Sequence, residues 1–198
     1  MPSRFPEPIE EQYDKIIKTI DTESIDKLKT KWRKYHVFLK MQIQIAILLK
    51  LHEIKPINIL DISTGAGYFP YVARYYRHNV KTTDVPRVSR NYTKIRNIIG
   101  VELDYRLYIK SYRKLPDFNQ KFDMITMLST IFNQHWSSMK QWNFFLDDLF
   151  QYVNPGGSVF INSNKWPSID LLIKKDPRPV VINPYQVLYE NIHNPRIM

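Results

Sequence analysis

From residue 57 onward, short apolar runs alternate with amphipathic ones, and this alternation constrains the fold more than any other feature of the chain. Residues 57–62 (INILDI), 80–84, 107–109, 122–127 and 158–162 are short and rich in β-branched or aromatic residues and Met, so they read as strands. Between them, residues 68–78, 91–99 and 142–153 place apolar side chains at helical spacing. Gly100 supplies a C-terminal stop for the second of these helices, and Asn154-Pro155-Gly156-Gly157 a turn after the third. Strands alternating with helices, with a helix or loop between the third and fourth strands, predict a parallel sheet covered on both faces. The expected class is therefore α/β: a three-layer α/β/α sandwich with a mostly parallel, doubly wound sheet.

Ahead of the alternation, residues 9–20 and about 24–51 read as two amphipathic helices, closed off by Pro56. Residues 1–56 are expected to form an N-terminal helical extension or lid, and residues 57–198 the main domain. Residues 163–198 are proline-rich and show weak periodicity.

A chain of 198 residues suits one domain. Cysteine is absent, which excludes disulfides, thiolate zinc sites and thiol nucleophiles. The start, MPSRFPEPIEEQYD, is not a secretory signal. The longest apolar stretch, 41–51, is interrupted by Gln42, Gln44 and Lys50 and is too short for a membrane span. A soluble, cytoplasmic protein is expected. Lys and Arg number 29 against 19 Asp and Glu, a net charge of +10. That balance suits anionic partners, among them nucleic acid and phosphorylated metabolites, or is only charge for solubility.

The segment that carries chemistry is LDISTGAGYF, residues 60–69. An acidic residue ends the first strand, and a turn of small residues leads into a helix, the place where doubly wound sheets bind ligands. Asp84 ends the second strand, where a carboxylate can accept both hydroxyls of a ribose. A dinucleotide fingerprint would need a third glycine where Pro70 stands, and Asp61 would repel a pyrophosphate. No Walker-type phosphate loop occurs. A sulfonium nucleoside, with a ribose, no phosphate and a positive charge, suits these carboxylates better.

Four segments in order resemble one family. ILDISTGAGYF looks like the first motif of class I S-adenosylmethionine-dependent methyltransferases, and TTDVP like the end of their second strand. KLPDFNQKFDMITML is similar to the approach to their fourth strand, and FFLDDLFQYVNPGGSVFIN to the helix, turn and fifth strand that follow. The resemblance covers roughly residues 57–162 and implies S-adenosyl-L-methionine as cofactor. It implies that Asp61, Ser63, Gly65, Ala66 and Gly67 line the methionine end, that Asp84 holds the ribose and that Val85 packs on adenine. Ser111 and Tyr112 would approach the adenine edge, and Leu128 and Ser129 would border the reacting methyl group. Ser63 departs from the family's first glycine, and Ser111 stands near where many members carry an acidic residue. The short remainder after the fifth strand leaves the last two of the family's seven strands reduced or absent.

Asn133 and His135 follow the fourth strand, where substrate and base residues sit in this family; His135 is the candidate base or, alternatively, a loop histidine. Asn162 and Asn164 would orient a substrate or cap the chain, and Asn183-Pro184-Tyr185 reads as a turn. Arg74, Arg77, Arg87, Arg90, Lys94 and Arg96, interleaved with Tyr75, Tyr76 and Tyr92, form either an anion-binding surface or a solvated helix face. The five histidines show no metal-ligand spacing, so no metal is expected. The implied activity is methyl transfer to an O or N atom of a small-molecule acceptor. The alternatives are an RNA methyltransferase or a non-catalytic nucleic-acid-binding protein on the same fold.

Overall fold

The computed structural model describes residues 7–85, 90–163, 167–176, 178–183 and 186–190. Three helices lead in: α1 (Glu7–Ile17), α2 (Thr22–Asp26) and α3 (Tyr35–Leu48). The alternation follows as β1 (Asn58–Ile62), α4 (Tyr68–Tyr75), β2 (Asn79–Asp84), α5 (Arg90–Ile98) and β3 (Tyr105–Arg106). It continues through β4 (Phe122–Thr130), α6 (Met139–Leu149), β5 (Val153–Ser163), α7 (Pro167–Lys175), β6 (Val180–Asn183) and β7 (Gln186–Tyr189). The seven strands lie in the order β3-β2-β1-β4-β5-β7-β6. All neighbouring pairs are parallel except β5 with β7 and β7 with β6. The strand order reverses between β1 and β4, so the carboxyl ends of those strands flank the switch point.

The strand period of two divides the core into two halves. Ile59, Met124 and Phe160 point to one face, where they meet Phe69, Val72, Ile95 and Ile99 of the α4 and α5 segments. Leu60, Ile125, Met127 and Ile161 point to the other, against Trp142, Phe145 and Leu149 of α6 and Leu172 of α7. This is the expected three-layer sandwich. The N-terminal helices share the first of these cores: Ile16, Leu39 and Ile43 are buried in it, and Phe38 stacks on Tyr68 of α4 with ring centres 6.2 Å apart.

Several sequence expectations are corrected. The second lead-in helix, read as 24–51, is broken into α2, a 3-10 turn at Lys31–Arg33 and α3. Lys27/Lys31 and Lys31/Lys34 are like charges at helical spacing, which weakens a helix there. The third strand is Tyr105–Arg106, not 107–109. Its partner β2 ends at Asp84, whose carbonyl accepts the Leu107 N–H at 2.8 Å, and no further ladder is offered. The 154–157 turn is a bulge within β5, where Phe122 pairs with Val153 and Met124 with Ser158. A side chain at Gly157 would lie 2.7 Å from the Asp123 carbonyl, so the bulge needs glycine there. The last two strands are reduced to four residues each, yet both are present and complete the sheet. Among the described residues, no helix is long and apolar enough to cross a membrane.

Candidate functional site

The corner between β1 and α4 is built on left-handed backbone. Ser63, Gly65 and Gly67 have φ of +64°, +59° and +87°. Glycine adopts such values without strain, whereas serine at position 63 costs about 1–2 kcal/mol. The corner is hooked to β2 by the Thr64 N–H, which donates to the Thr83 carbonyl at 2.8 Å. A Cβ on Gly67 would lie 3.0 Å from Arg96 Cγ and 3.1 Å from Val101 Cγ1, so the turn is pressed from below. Ala66 is buried beside it.

Two carboxylates face this corner from the strand ends. Asp61 is buried; its oxygens accept from the Thr64 and Thr126 hydroxyls, each at 2.8 Å. Burial pushes its carboxyl up to about 7, against the pull of the two hydroxyls. Asp84 Oδ2 accepts from the Gly65 N–H at 3.0 Å and Oδ1 from the Val85 N–H at 2.8 Å. Burial raises its pKa, while the two N–H groups and the Arg96 guanidinium, 3.8 Å away, oppose that rise. A carboxylate oxygen accepts about two hydrogen bonds, so each Asp84 oxygen keeps capacity for a hydroxyl.

Arg96 is the residue sequence reasoning misplaced. It is buried, not part of a solvated face, and its guanidinium donates to the Gly65 carbonyl. The signal was available: position 96 sits at helical spacing from Tyr92 and Ile99, on the apolar face of α5. Of the other basic residues, Arg74 donates to the Val80 carbonyl at 2.8 Å, while Arg77, Arg90 and Lys94 are exposed. Arg87 lies outside the described residues.

The β3 and β4 ends carry the rest. Because β3 is short and early, Ser111 and Tyr112 lie on a turn beyond it and dock on α6: Ser111 Oγ accepts from Gln141 at 3.1 Å, and the Tyr112 ring meets Phe144 at 5.8 Å. Tyr112 and Ser129 are left-handed, with φ of +57° and +53°. Ser129 is the exposed residue of a register shift between Leu128 and Thr130, and Leu128 is half-buried at the same edge. Asn133 is fully buried, and neither its Nδ2 nor its Oδ1 has a partner among the described residues. Thr130 and Ser163, paired across β4 and β5, are also buried, and their hydroxyls meet no partner among the described residues. His135 is exposed, its Nε2 accepting from the Gln134 amide at 2.9 Å. Asn162 is half-buried in β5 opposite Leu128; Asn164, Pro184 and Tyr185 lie outside the described residues.

No cluster of potential metal ligands occurs among the described residues. A hollow of about 480 Å³ opens at the opposite, amino end of the strands, lined by Asn58, Arg74, Lys81 and Asp104 among others. Its charges satisfy one another, with Lys81 and Asp104 paired at 2.7 Å.

No protein-family model and no curated protein matches the chain. Solved structures do. TrmN from Thermus thermophilus is 18% identical, with 76% of this chain and 48% of that chain covered and a TM-score of 0.52. The T. thermophilus 16S rRNA N2 G1207 methyltransferase (RsmC), in complex with AdoMet and guanosine, is 15% identical, with 78% and 43% covered and a TM-score of 0.52. DesVI from Streptomyces venezuelae is 15% identical, with 66% and 52% covered and a TM-score of 0.48. The chain spans about half the length of these proteins. The likeness to the two T. thermophilus proteins shows a shared fold.

Proposed function

We propose that this protein is an S-adenosyl-L-methionine-dependent methyltransferase, transferring a methyl group to an O or N atom of its acceptor. The observation that carries the reading is Asp84, pinned 3.0 Å from the Gly65 N–H at the switch point of the sheet. The cofactor, when bound, supplies an activated methyl group on a sulfonium. Asp84 would accept the ribose hydroxyls through its remaining lone pairs, and Val85 would cover the adenine. Gly65, Ala66 and Gly67 would let the backbone approach the methionine end, with Ser63 completing the turn. Asp61, nearly balanced between its two protonation states at neutral pH, would be drawn to its charged form by a cation above it. Ser111 and Tyr112 would border the adenine, and Leu128 and Ser129 the methyl group.

Alignment and exclusion of water carry most of such a transfer. Asn133 offers a buried donor and acceptor with which to orient the acceptor group, and His135 would receive a proton where one is released. The N-terminal helices, packed on α4, would wall the glycine corner. A small-molecule acceptor would suit a chain this compact. An RNA acceptor is supported by the net charge of +10 and by the likeness to a 16S rRNA methyltransferase. Titration calorimetry with S-adenosylhomocysteine tests the cofactor: saturable binding is expected, and no heat at millimolar ligand removes the proposal. Binding without turnover on any acceptor would favour the non-catalytic alternative.

A further inference from the structure

We infer that residues 106–114 form a docking strip for a single-stranded nucleic acid beside the candidate site. The inference rests on the methyltransferase reading only for what the strip serves; its own support is separate. Seven large apolar or aromatic side chains are exposed among the described residues, and the three most exposed are Tyr108 at 59%, Tyr112 at 56% and Ile131 at 62%. All three lie on segments that leave the carboxyl ends of β3 and β4.

Two of them sit in RLYIKSYRK, which holds Arg106, Lys110, Arg113 and Lys114 and no acidic residue. All four basic side chains are exposed, and no salt bridge engages them among the described residues. The strip is held firmly from beneath. Leu107, Ile109 and Leu115 are buried in the α6-side core, so their neighbours are turned outward. Its first residue after the strand is bonded to the Asp84 carbonyl, and Ser111 and Tyr112 rest on α6. Lys110 Nζ lies 5.2 Å from the Tyr108 ring centre, so a cation already accompanies an exposed aromatic face.

Exposed aromatics interleaved with unpaired cations match the chemistry of a single strand, whose bases stack and whose phosphates need positive charge. Duplex recognition would call for an element to enter a groove, whereas an anionic metabolite would not need two tyrosines. Anchored at the Asp84 end, the strip would deliver a base to the same edge where Asn133, Thr130 and Ser163 lie.

Fluorescence anisotropy with labelled single-stranded RNA and DNA oligomers of one sequence tests this on the full chain. The key variant is Lys110→Ala/Arg113→Ala/Lys114→Ala; the charge-matched control is Lys18→Ala/Lys27→Ala/Lys29→Ala, all exposed and in the turns between the lead-in helices. The strip variant is expected to lose about 10-fold or more in affinity and to flatten the log–log salt dependence by about 2–3 units. Tyr108→Ala should lose a further factor of about 10 with little change in that slope. S-adenosylhomocysteine affinity should be unchanged in these variants. Equal losses in strip and control variants would mean diffuse charge and would overturn the inference, as would a wild type that binds neither oligomer at low salt. If the wild type binds the oligomers but not S-adenosylhomocysteine, the strip stands and the methyltransferase reading falls. RNA over DNA would show that the 2′-hydroxyl is read; equal affinity would show that the strip reads stacking and charge alone.

Discussion

The β1–β2 end of the sheet and the β4–β5 end differ in how their polar groups are paired. At the first, Asp61 is bonded to Thr64 and Thr126, while Asp84, Arg96 and the Gly65 backbone share hydrogen bonds and an ion pair that leave lone pairs on Asp84 for a ligand. At the second, Thr130, Asn133 and Ser163 are buried with side-chain atoms that meet no partner among the described residues. A satisfied network fixes its geometry before a ligand arrives, while a buried unpaired group costs about 1–3 kcal/mol. Under the proposed function, the β1–β2 end would be the preorganised holder of the cofactor. The open end keeps hydrogen-bonding capacity that, under the same proposal, would serve the acceptor.

The sharpest way to break this contrast is Asp84→Asn. It leaves Arg96 buried beside a neutral amide and offers a donor where an acceptor is needed. S-adenosylhomocysteine affinity is expected to fall about 100-fold by calorimetry, and stability by about 3 kcal/mol in denaturant melts, the scale of an uncompensated buried charge. An unchanged affinity would remove Asp84 from the ribose. Asn133→Leu tests the open end in the opposite sense. Replacing an unpaired buried amide by an apolar side chain of similar size should raise stability by about 1–2 kcal/mol and cut methyl transfer at least tenfold. A loss of stability would mean that Asn133 is paired in solution and the contrast is false.

A subtler effect concerns Asp61. Its pKa is raised in the folded state, so the fold favours the protonated form. Its contribution to stability is fully present below the ordinary carboxylate pKa of about 4 and is lost as pH rises through about 7. The wild type should therefore lose stability relative to Asp61→Asn between pH 4 and 7, measured as the difference in Tm across that window. A constant difference would mean that Asp61 is ionised throughout. The smallest effect belongs to His135→Ala. The ring is exposed and solvent can take its proton, so less than a threefold loss of turnover and a stability change within about 0.5 kcal/mol are expected.

Much of the fold was legible because its signals are local. Residues 57–62 and 122–127 announce strands by composition, and the glycines announce a corner because Gly65 and Gly67 occupy backbone that other residues avoid. Ser63 shows the limit of that rule: it adopts the same left-handed conformation without being glycine. The two closing strands were not legible. Four residues each carry too little pattern, and β7 is extended only because the edge of β5 demands a partner. The site divided in the same way. Asp84 and the glycine corner could be read from spacing, whereas Arg96 looked like one more surface cation. Asn133 could be placed after the fourth strand, but nothing in the sequence distinguishes a buried, unpaired amide from one in solvent.

The sequence by itself determined the order of strands and helices from β1 to β5, the glycine corner and the carboxylates that end β1 and β2, because these follow from backbone preference and from periods of two and 3.6 residues. Only the tertiary structure decided that Arg96 would run beneath the turn to Gly65, 31 residues away, and that Thr126 would close on Asp61 across 65. Such pairings depend on which strands lie side by side and how tightly α5 packs on the sheet, and no local preference encodes a distance between segments so far apart in the chain.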